Sequence, residues 1–203
     1  MSVFRKILDF LSKSAAIDRA QSPEIARLVD FEKRLHHLLD TDNYIARSDY
    51  EPLFKEYKDI YEHFSALKKS DTLDYFCSQN HVNSKQIISF IDIYNGLGKN
   101  EGIDIIDSHN KQYVKRHLAS DKRYLDNILK PIDPAINLDD DQRRVVLSDE
   151  DYTLVIAGAG AGKTTTVAAK VKYLVEKKHI RPEQILVISF TNKAVDELRS
   201  RMM

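Results

Sequence analysis

The sequence is poor in cysteine, has no excess of either charge and has no long apolar run. Cys77 is its one cysteine, which excludes an intramolecular disulfide and a cysteine-based metal site and predicts a small buried side chain. Lysine plus arginine (31) equals aspartate plus glutamate (31), so no overall basic field indicates a nucleic-acid partner, although a local basic groove is compatible with this balance. No apolar run approaches the roughly 20 residues of a membrane span, and Asp9 and Ser12 interrupt the apolar core that a signal peptide needs. We therefore expect a cytoplasmic location and no membrane partner.

Apolar residues recur at helical spacing through the first two thirds of the chain. The clearest helix is predicted from Tyr50 to Phe64, and a last long helix from about Ser108 to Leu129. The aromatic stripe between Tyr50 and Phe64 has two interpretations, a stacking surface for single-stranded bases or the core of a helical bundle. The core interpretation is favoured, because stripes at this spacing are normally buried. The adjacent His36 and His37 do not share one helix face, so they are predicted to be structural.

Pro131 and Pro134 end the helical region and indicate a linker. Beyond them the pattern predicts a short helix at 139–147, a strand at 154–156, a helix at 164–178, a second strand at 185–190 and a final helix capped at 191–193. Alternating strands and helices are typical of a parallel α/β unit, with its ligand site at the strand ends. The predicted domains are therefore a helical N-terminal domain (1–130), a linker (131–137) and the beginning of an α/β domain (138–203).

A glycine-rich loop follows the first predicted strand and leads into a helix, which is the context of a phosphate-binding P-loop. Its first position is Ala157, where the strict pattern has glycine. Side-chain-free residues let backbone N–H groups wrap a phosphate, and the helix N-terminus adds its positive dipole end. Lys163 is predicted to contact the β- and γ-phosphates, and the Thr164 hydroxyl to bind Mg²⁺. The predicted nucleotide-binding set is Ala157, Gly158, Ala159, Gly160, Ala161, Gly162, Lys163, Thr164 and Thr165. A glycine-rich turn without a ligand is the alternative.

Three blocks in this order resemble the opening of UvrD/Rep-type superfamily-one DNA helicases. They are Leu138-x-x-x-Gln142, the segment from Leu154 to Thr164, and Ile185-Leu-Val-Ile-Ser-Phe-Thr-Asn-Lys-Ala194. The resemblance covers about 138–203 and is specific, because the Phe-Thr-Asn-Lys-Ala block is not a general P-loop feature. The stretch from Asn110 to Ile128 is similar to the lead-in of the helicase IV branch. The implied fold is α/β, with the helical N-terminal domain followed by the start of a P-loop (RecA-like) parallel-sheet motor domain, truncated.

The resemblance also implies roles for particular residues. Gln142 would hydrogen-bond the adenine edge of ATP, and its alternative role is to cap its own helix. Lys163 and Thr164 would be the catalytic residues, acting with ATP and Mg²⁺. Phe190, Thr191 and Asn192 would lie on the track of single-stranded DNA, although Phe190 has the alternative of a buried strand end. Thr165 stands where many members carry arginine, so that cationic contact is not expected here.

ATP hydrolysis in that family needs an acidic pair after a later apolar strand, and arginines from a second motor domain. The acidic pairs at 149–150 and 196–197 do not follow an apolar strand. We therefore expect an N-terminal piece of a longer ATP-dependent helicase, acting 3′ to 5′ on single-stranded or partly duplex DNA and connected with DNA repair. The chain alone is expected to bind nucleotide weakly and to turn over little or none.

Two other functions remain open at this point. In the first, the helical N-terminal region binds RNA polymerase or repair proteins and the motor remodels that complex. In the second, the chain is a P-loop kinase or GTPase, which leaves Gln142 and the block at 190–192 unexplained and therefore ranks last.

Overall fold

The computed structural model describes residues 22–98, 104–158, 160–189, 192, 195–196 and 199–200. The helices in this part of the chain are α1 (Pro23–Leu39), α2 (Arg47–Glu56), α3 (Lys58–Lys69), α4 (Leu73–Asn80), α5 (Ser84–Leu97), α6 (Ile105–Ser120), α7 (Lys122–Asn127), α8 (Asp140–Leu147) and α9 (Lys163–Glu176), with a short 3₁₀ helix at Pro182–Gln184. None of the described helices combines the length and the apolar character that crossing a bilayer requires.

The chain divides into two compact units, Met1–Gln112 and Tyr113–Met203, and the division falls within α6. The predicted domain bounds, 1–130, 131–137 and 138–203, remain a sequence-based prediction. Around the predicted linker, the Ile132 and Ile136 side chains pack against the buried cluster of the second unit.

The first unit is a helical bundle with an aromatic core. Phe31 contacts Tyr57 and Phe90 edge to face, with ring centroids 5.3 and 4.9 Å apart. Phe64 is fully buried. Most of the aromatic stripe therefore lies in the core, as its spacing predicts. The cluster contains Ile25, Leu28, Phe31, Leu35, Leu39, Ile45, Tyr50, Leu53, Tyr57, Ile60, Phe64, Leu73, Cys77, Ile87, Phe90, Ile91, Ile93, Tyr94, Leu97, Ile105 and Ile106.

Both long predicted helices are broken once. The helix predicted from Tyr50 to Phe64 divides at Tyr57, whose φ of −101° and ψ of 16° end α2 before α3 begins. The Tyr57 hydroxyl donates to Asp30, and the Arg27 and Arg34 guanidinium groups lie 5.5 and 5.4 Å from its ring centroid, so contacts with α1 fix the corner.

The helix predicted to reach Leu129 ends at Ser120. Asp121 has non-helical angles (φ −94°, ψ 10°) and precedes α7. Its carboxylate lies 3.5 Å from the Lys177 ammonium beyond the end of α9, so a partner distant in sequence accompanies this break. In both helices the apolar pattern predicted the helical residues but not the interruption.

The second unit is built on α8 and α9. Ala168 and Ala169 of α9 are fully buried, as are Val146 and Leu147 of α8. The small alanine side chains let the two helices pack closely. The cluster contains Leu125, Ile128, Leu129, Leu138, Val146, Leu147, Ala168, Ala169 and Tyr173.

The strands predicted at 154–156 and 185–190 are not formed in the described residues. Leu154 (85% exposed) and Ile156 (89%) face solvent, as do Leu186 and Ile188 (83% each). A cleft of about 500 Å³ remains between α9 and these two segments. The physical reason is that strands need hydrogen-bonded neighbours, and a sheet of two strands is marginal in water. The helical part of the predicted fold is thus present, whereas the residues that the structure describes do not form the parallel sheet.

Candidate functional site

The glycine loop ends where α9 begins, as the P-loop motif predicts. Gly162 precedes α9 in the left-handed conformation (φ 76°), and Gly160 has the same φ. Thr166 in the first turn donates its backbone N–H and its hydroxyl to the Gly162 carbonyl, at 2.8 and 3.0 Å. These bonds fix the junction of loop and helix. The N-terminal end of α9 therefore adjoins the loop directly.

Lys163 folds back over the loop. Its Nζ donates to the carbonyl oxygens of Ala157 at 3.0 Å and of Gly158 at 2.7 Å. The positive charge thus lies directly beside the backbone that the motif assigns to phosphate. A mobile ammonium at this position can exchange a carbonyl partner for a phosphate oxygen without a change of the backbone.

Gln142 of α8 contacts the same loop. Its side-chain Oε1 accepts from the Asp139 backbone N–H at 3.0 Å, and its backbone N–H donates to the Asp139 carboxylate at 2.8 Å, so the two residues form a capping box. The side-chain Nε2 donates to the carbonyl of Ala161 at 3.2 Å. The helix-capping role of Gln142 is confirmed, and its adenine contact stays a prediction.

The other predicted site residues are Ala159, Thr164, Thr165 and the block at 190–192. Thr164 and Thr165 are half-buried in the first turn of α9. Ala159, Phe190 and Thr191 lie outside the described residues, whereas Asn192 is exposed. Among the residues described, no cluster of three or more histidine, cysteine, aspartate or glutamate side chains is arranged to hold a metal ion.

Asp149, just beyond the end of α8, is engaged in two ion pairs. Asp149 lies 3.7 Å from the Lys170 ammonium and 3.2 Å from the Lys178 ammonium. Burial lowers the pKa of the Lys170 ammonium, and the nearby Asp149 charge only partly opposes this. Burial also disfavours a charged Lys178, but Tyr113 and Asp149 outweigh it and raise its pKa. Asp149 therefore serves as a counter-ion for two lysines in this arrangement.

Sequence reasoning gave no role to Lys170. Its Nζ donates to the carbonyl oxygens of Val146 at 3.0 Å and of Ser148 at 2.6 Å, at the end of α8. The signal in the sequence is its spacing from Lys163, because residues seven apart share one helix face.

The structure therefore brings together a glycine loop, a helix N-terminus, a lysine and a glutamine from a preceding helix. Residues 138–203 match the family model described as the UvrD/REP helicase N-terminal domain. This confirms the resemblance to UvrD/Rep-type helicases for this part of the chain. The assignment to a helicase IV-like branch stays a prediction.

Several curated proteins are similar over the same region. A probable DNA helicase II homolog of Mycoplasma capricolum subsp. capricolum is 44% identical over 66 residues, which cover 32% of this chain and 9% of that protein. The ATP-dependent DNA helicase srs2 of Schizosaccharomyces pombe is 43% identical over 65 residues (32% and 7%). The ATP-dependent DNA helicase UvrD2 of Mycobacterium tuberculosis is 44% identical over 71 residues (34% and 10%). The similarity thus spans about a tenth of each relative's length, and no solved structure matches the chain.

Proposed function

We propose that the loop from Ala157 to Gly162, with Lys163, Thr164 and Gln142, binds ATP and Mg²⁺ as part of a DNA helicase. The observation that carries this proposal is the contact of Gln142 with the loop. Its Nε2 lies 3.2 Å from the Ala161 carbonyl although the two residues are 19 positions apart. A phosphate-binding turn alone does not require this contact, whereas a site for a complete nucleotide requires a base-recognising group beside the phosphate site.

The donor set of the loop suits a triphosphate. Two glycines with positive φ keep the backbone bare, and the helix N-terminus and Lys163 supply positive potential. Mg²⁺ keeps several waters and binds few protein groups beside the phosphates, so one hydroxyl from Thr164 is a sufficient protein ligand. Bound ATP would supply the free energy for work on DNA.

Lys163 and Gln142 are the residues that change partners on binding. The Lys163 ammonium leaves the carbonyls of Ala157 and Gly158 and neutralises phosphate charge. The Gln142 amide leaves Ala161 and pairs with the base edge. Asp149 stays paired with its two lysines. The acidic pairs at 149–150 and 196–197 do not follow an apolar strand, so we expect the chain by itself to turn over little or no ATP.

The helicase activity is proposed from the relatives, several of which are named ATP-dependent DNA helicases. Asn192 is exposed and suits a contact with a DNA phosphate. The proposal also includes translocation from 3′ to 5′, a cytoplasmic location and a role in repair. It further includes a parallel sheet around the two apolar segments. Binding of RNA polymerase stays a prediction, since neither the described residues nor the comparisons favour it.

The test measures competition of ATP and GTP for a fluorescent ATP analogue in the presence of Mg²⁺. The wild-type chain should prefer ATP, and Gln142→Ala should lose about tenfold of that preference, the equivalent of one net hydrogen bond. Arg144→Ala, on the solvent side of α8, is the matched control and should keep the preference. Equal affinity of the wild-type chain for ATP and GTP would contradict the adenine contact.

A further inference from the structure

Helix α8 is attached at both ends to the loop and helix that follow it. At its N-terminal end the Gln142 amide donates to the Ala161 carbonyl of the loop. At its C-terminal end the Lys170 ammonium donates to the carbonyls of Val146 and Ser148. The second attachment uses a charged donor at 3.0 and 2.6 Å, and such bonds are stronger than neutral ones.

Lys170 belongs to the same rigid element as Lys163. Seven residues separate them, which places them on one face of α9 about two turns, or ~10 Å, apart. Lys163 contacts the loop, and Lys170 contacts the end of α8. One straight helix therefore relates the position of the phosphate-binding lysine to the position of the helix that carries Gln142.

Burial of the Lys170 ammonium costs free energy, and we take this cost as a sign that the residue has a positional role. Only about 23% of it is exposed, and Asp149 at 3.7 Å is a distant counter-ion. An apolar residue could fill the same space between Val146 and Tyr173 without desolvating a charge. An apolar side chain could not make the hydrogen bonds from the Lys170 ammonium to the Val146 and Ser148 carbonyls, which fix the C-terminal end of α8 against α9.

We propose that Lys170 is a positioning residue that sets nucleotide-base selectivity by holding α8, and hence Gln142, at a fixed place beside the glycine loop. This inference rests on the proposed adenine contact of Gln142. Lys170 touches neither the base nor the phosphates. Its loss lets the C-terminal end of α8 move, so that Gln142 no longer meets the base edge, whereas the loop and Lys163 keep their arrangement.

The experiment compares ATP, GTP and inorganic triphosphate as competitors of a fluorescent ATP analogue, with the whole chain and Mg²⁺. Lys170→Met should lower the preference for ATP over GTP by roughly tenfold, to the level of Gln142→Ala, and change triphosphate affinity less than about twofold. Lys170→Arg, which retains a charged donor, should restore most of the preference. Lys172→Met is the matched control on α9, because the ion pair of Lys172 in the described part of the chain is with Glu176, 3.7 Å away, and this variant should behave as wild type.

The results separate this inference from the proposed function. An unchanged ATP preference in Lys170→Met would overturn the inference, as would an equal loss of affinity for all three competitors, which indicates a general structural role. If Gln142→Ala itself leaves the preference unchanged, the adenine contact fails and the inference fails with it. Circular dichroism checks folding; if Lys170→Met does not fold, Lys170→Gln is measured in its place against the same two criteria.

Discussion

Substituting the three glycines of the loop one at a time separates backbone strain from contact with Gln142. A Cβ added at Gly162 would lie 2.5 Å from the Gln142 Nε2, and the residue has φ of 76°. Gly160 has the same φ but open space around its Cα. Gly158 has open space and no positive φ. Alanine at Gly158 is therefore the control, alanine at Gly160 reports strain, and alanine at Gly162 reports strain plus the contact.

The expected magnitudes follow from these differences. A left-handed conformation costs a residue with a Cβ about 1–2 kcal/mol. At Gly162 the added methyl group must also displace the Gln142 amide from Ala161, which loses a hydrogen bond of about 1 kcal/mol. We expect losses in the free energy of unfolding of about 1–2 kcal/mol for Gly160→Ala and about 2–3 kcal/mol for Gly162→Ala. Gly158→Ala should change it little or raise it by up to about 1 kcal/mol.

The assay is urea denaturation followed by far-ultraviolet circular dichroism on the three variants and the wild-type chain. A double-mutant cycle with Gln142→Ala isolates the contact, because the extra cost of Gly162→Ala should disappear when the amide is absent. Equal losses at Gly160 and Gly162, or an unchanged cost in the Gln142→Ala background, would refute the contact between α8 and the loop. A loss at Gly158 as large as that at Gly160 would refute the assigned loop conformation.

Two further predictions concern the first unit. Burial, and then the bond to Asp30, raise the pKa of Tyr57 to about 12, above its ordinary 10.0. The unfolded chain therefore loses this proton first, and stability is lost as pH rises from 10 to about 12, by at most about 3 kcal/mol. Tyr57→Phe should flatten the pH dependence of urea midpoints in that range, and a slope equal to the wild type's would contradict the assignment. Asn110 is buried, accepts from the Ile45 N–H at 2.9 Å and donates to the Ile45 carbonyl at 2.8 Å. Asn110→Asp loses that donor, and we expect the free energy of unfolding at pH 7 to fall by about 2 kcal/mol or more, with a lower thermal midpoint. An unchanged midpoint would show that the pair of hydrogen bonds to Ile45 contributes nothing.

The helices of this chain were predictable because their signals are local. Apolar spacing, the Asp139 cap and the prolines each act within one or two turns. The breaks at Tyr57 and Asp121 were not predictable, because partners on other helices accompany them: Asp30 and Arg34 for the first, Lys177 for the second. The described residues do not form the two expected strands for a related reason, since a strand depends on neighbours that its own sequence does not specify.

The candidate site shows the same distinction. The positions of Gly162 and Lys163 at the start of α9 follow from a contiguous motif and were predictable from it. The proximity of Gln142 to the loop was expected only through the family resemblance, since no local rule relates residues 19 positions apart. Lys170 was missed because its role depends on the packing of α9 against α8, which the sequence does not display.

The central claim is that the loop beside Gln142 and Lys163 binds ATP with Mg²⁺. Isothermal titration of the whole chain with ATP, with and without Mg²⁺, tests it most directly. We expect saturable binding that strengthens with Mg²⁺ and is lost in Lys163→Ala, with Lys172→Ala as a control that still binds. Absence of binding at millimolar ATP, or equal affinity of the wild type and Lys163→Ala, would contradict the claim.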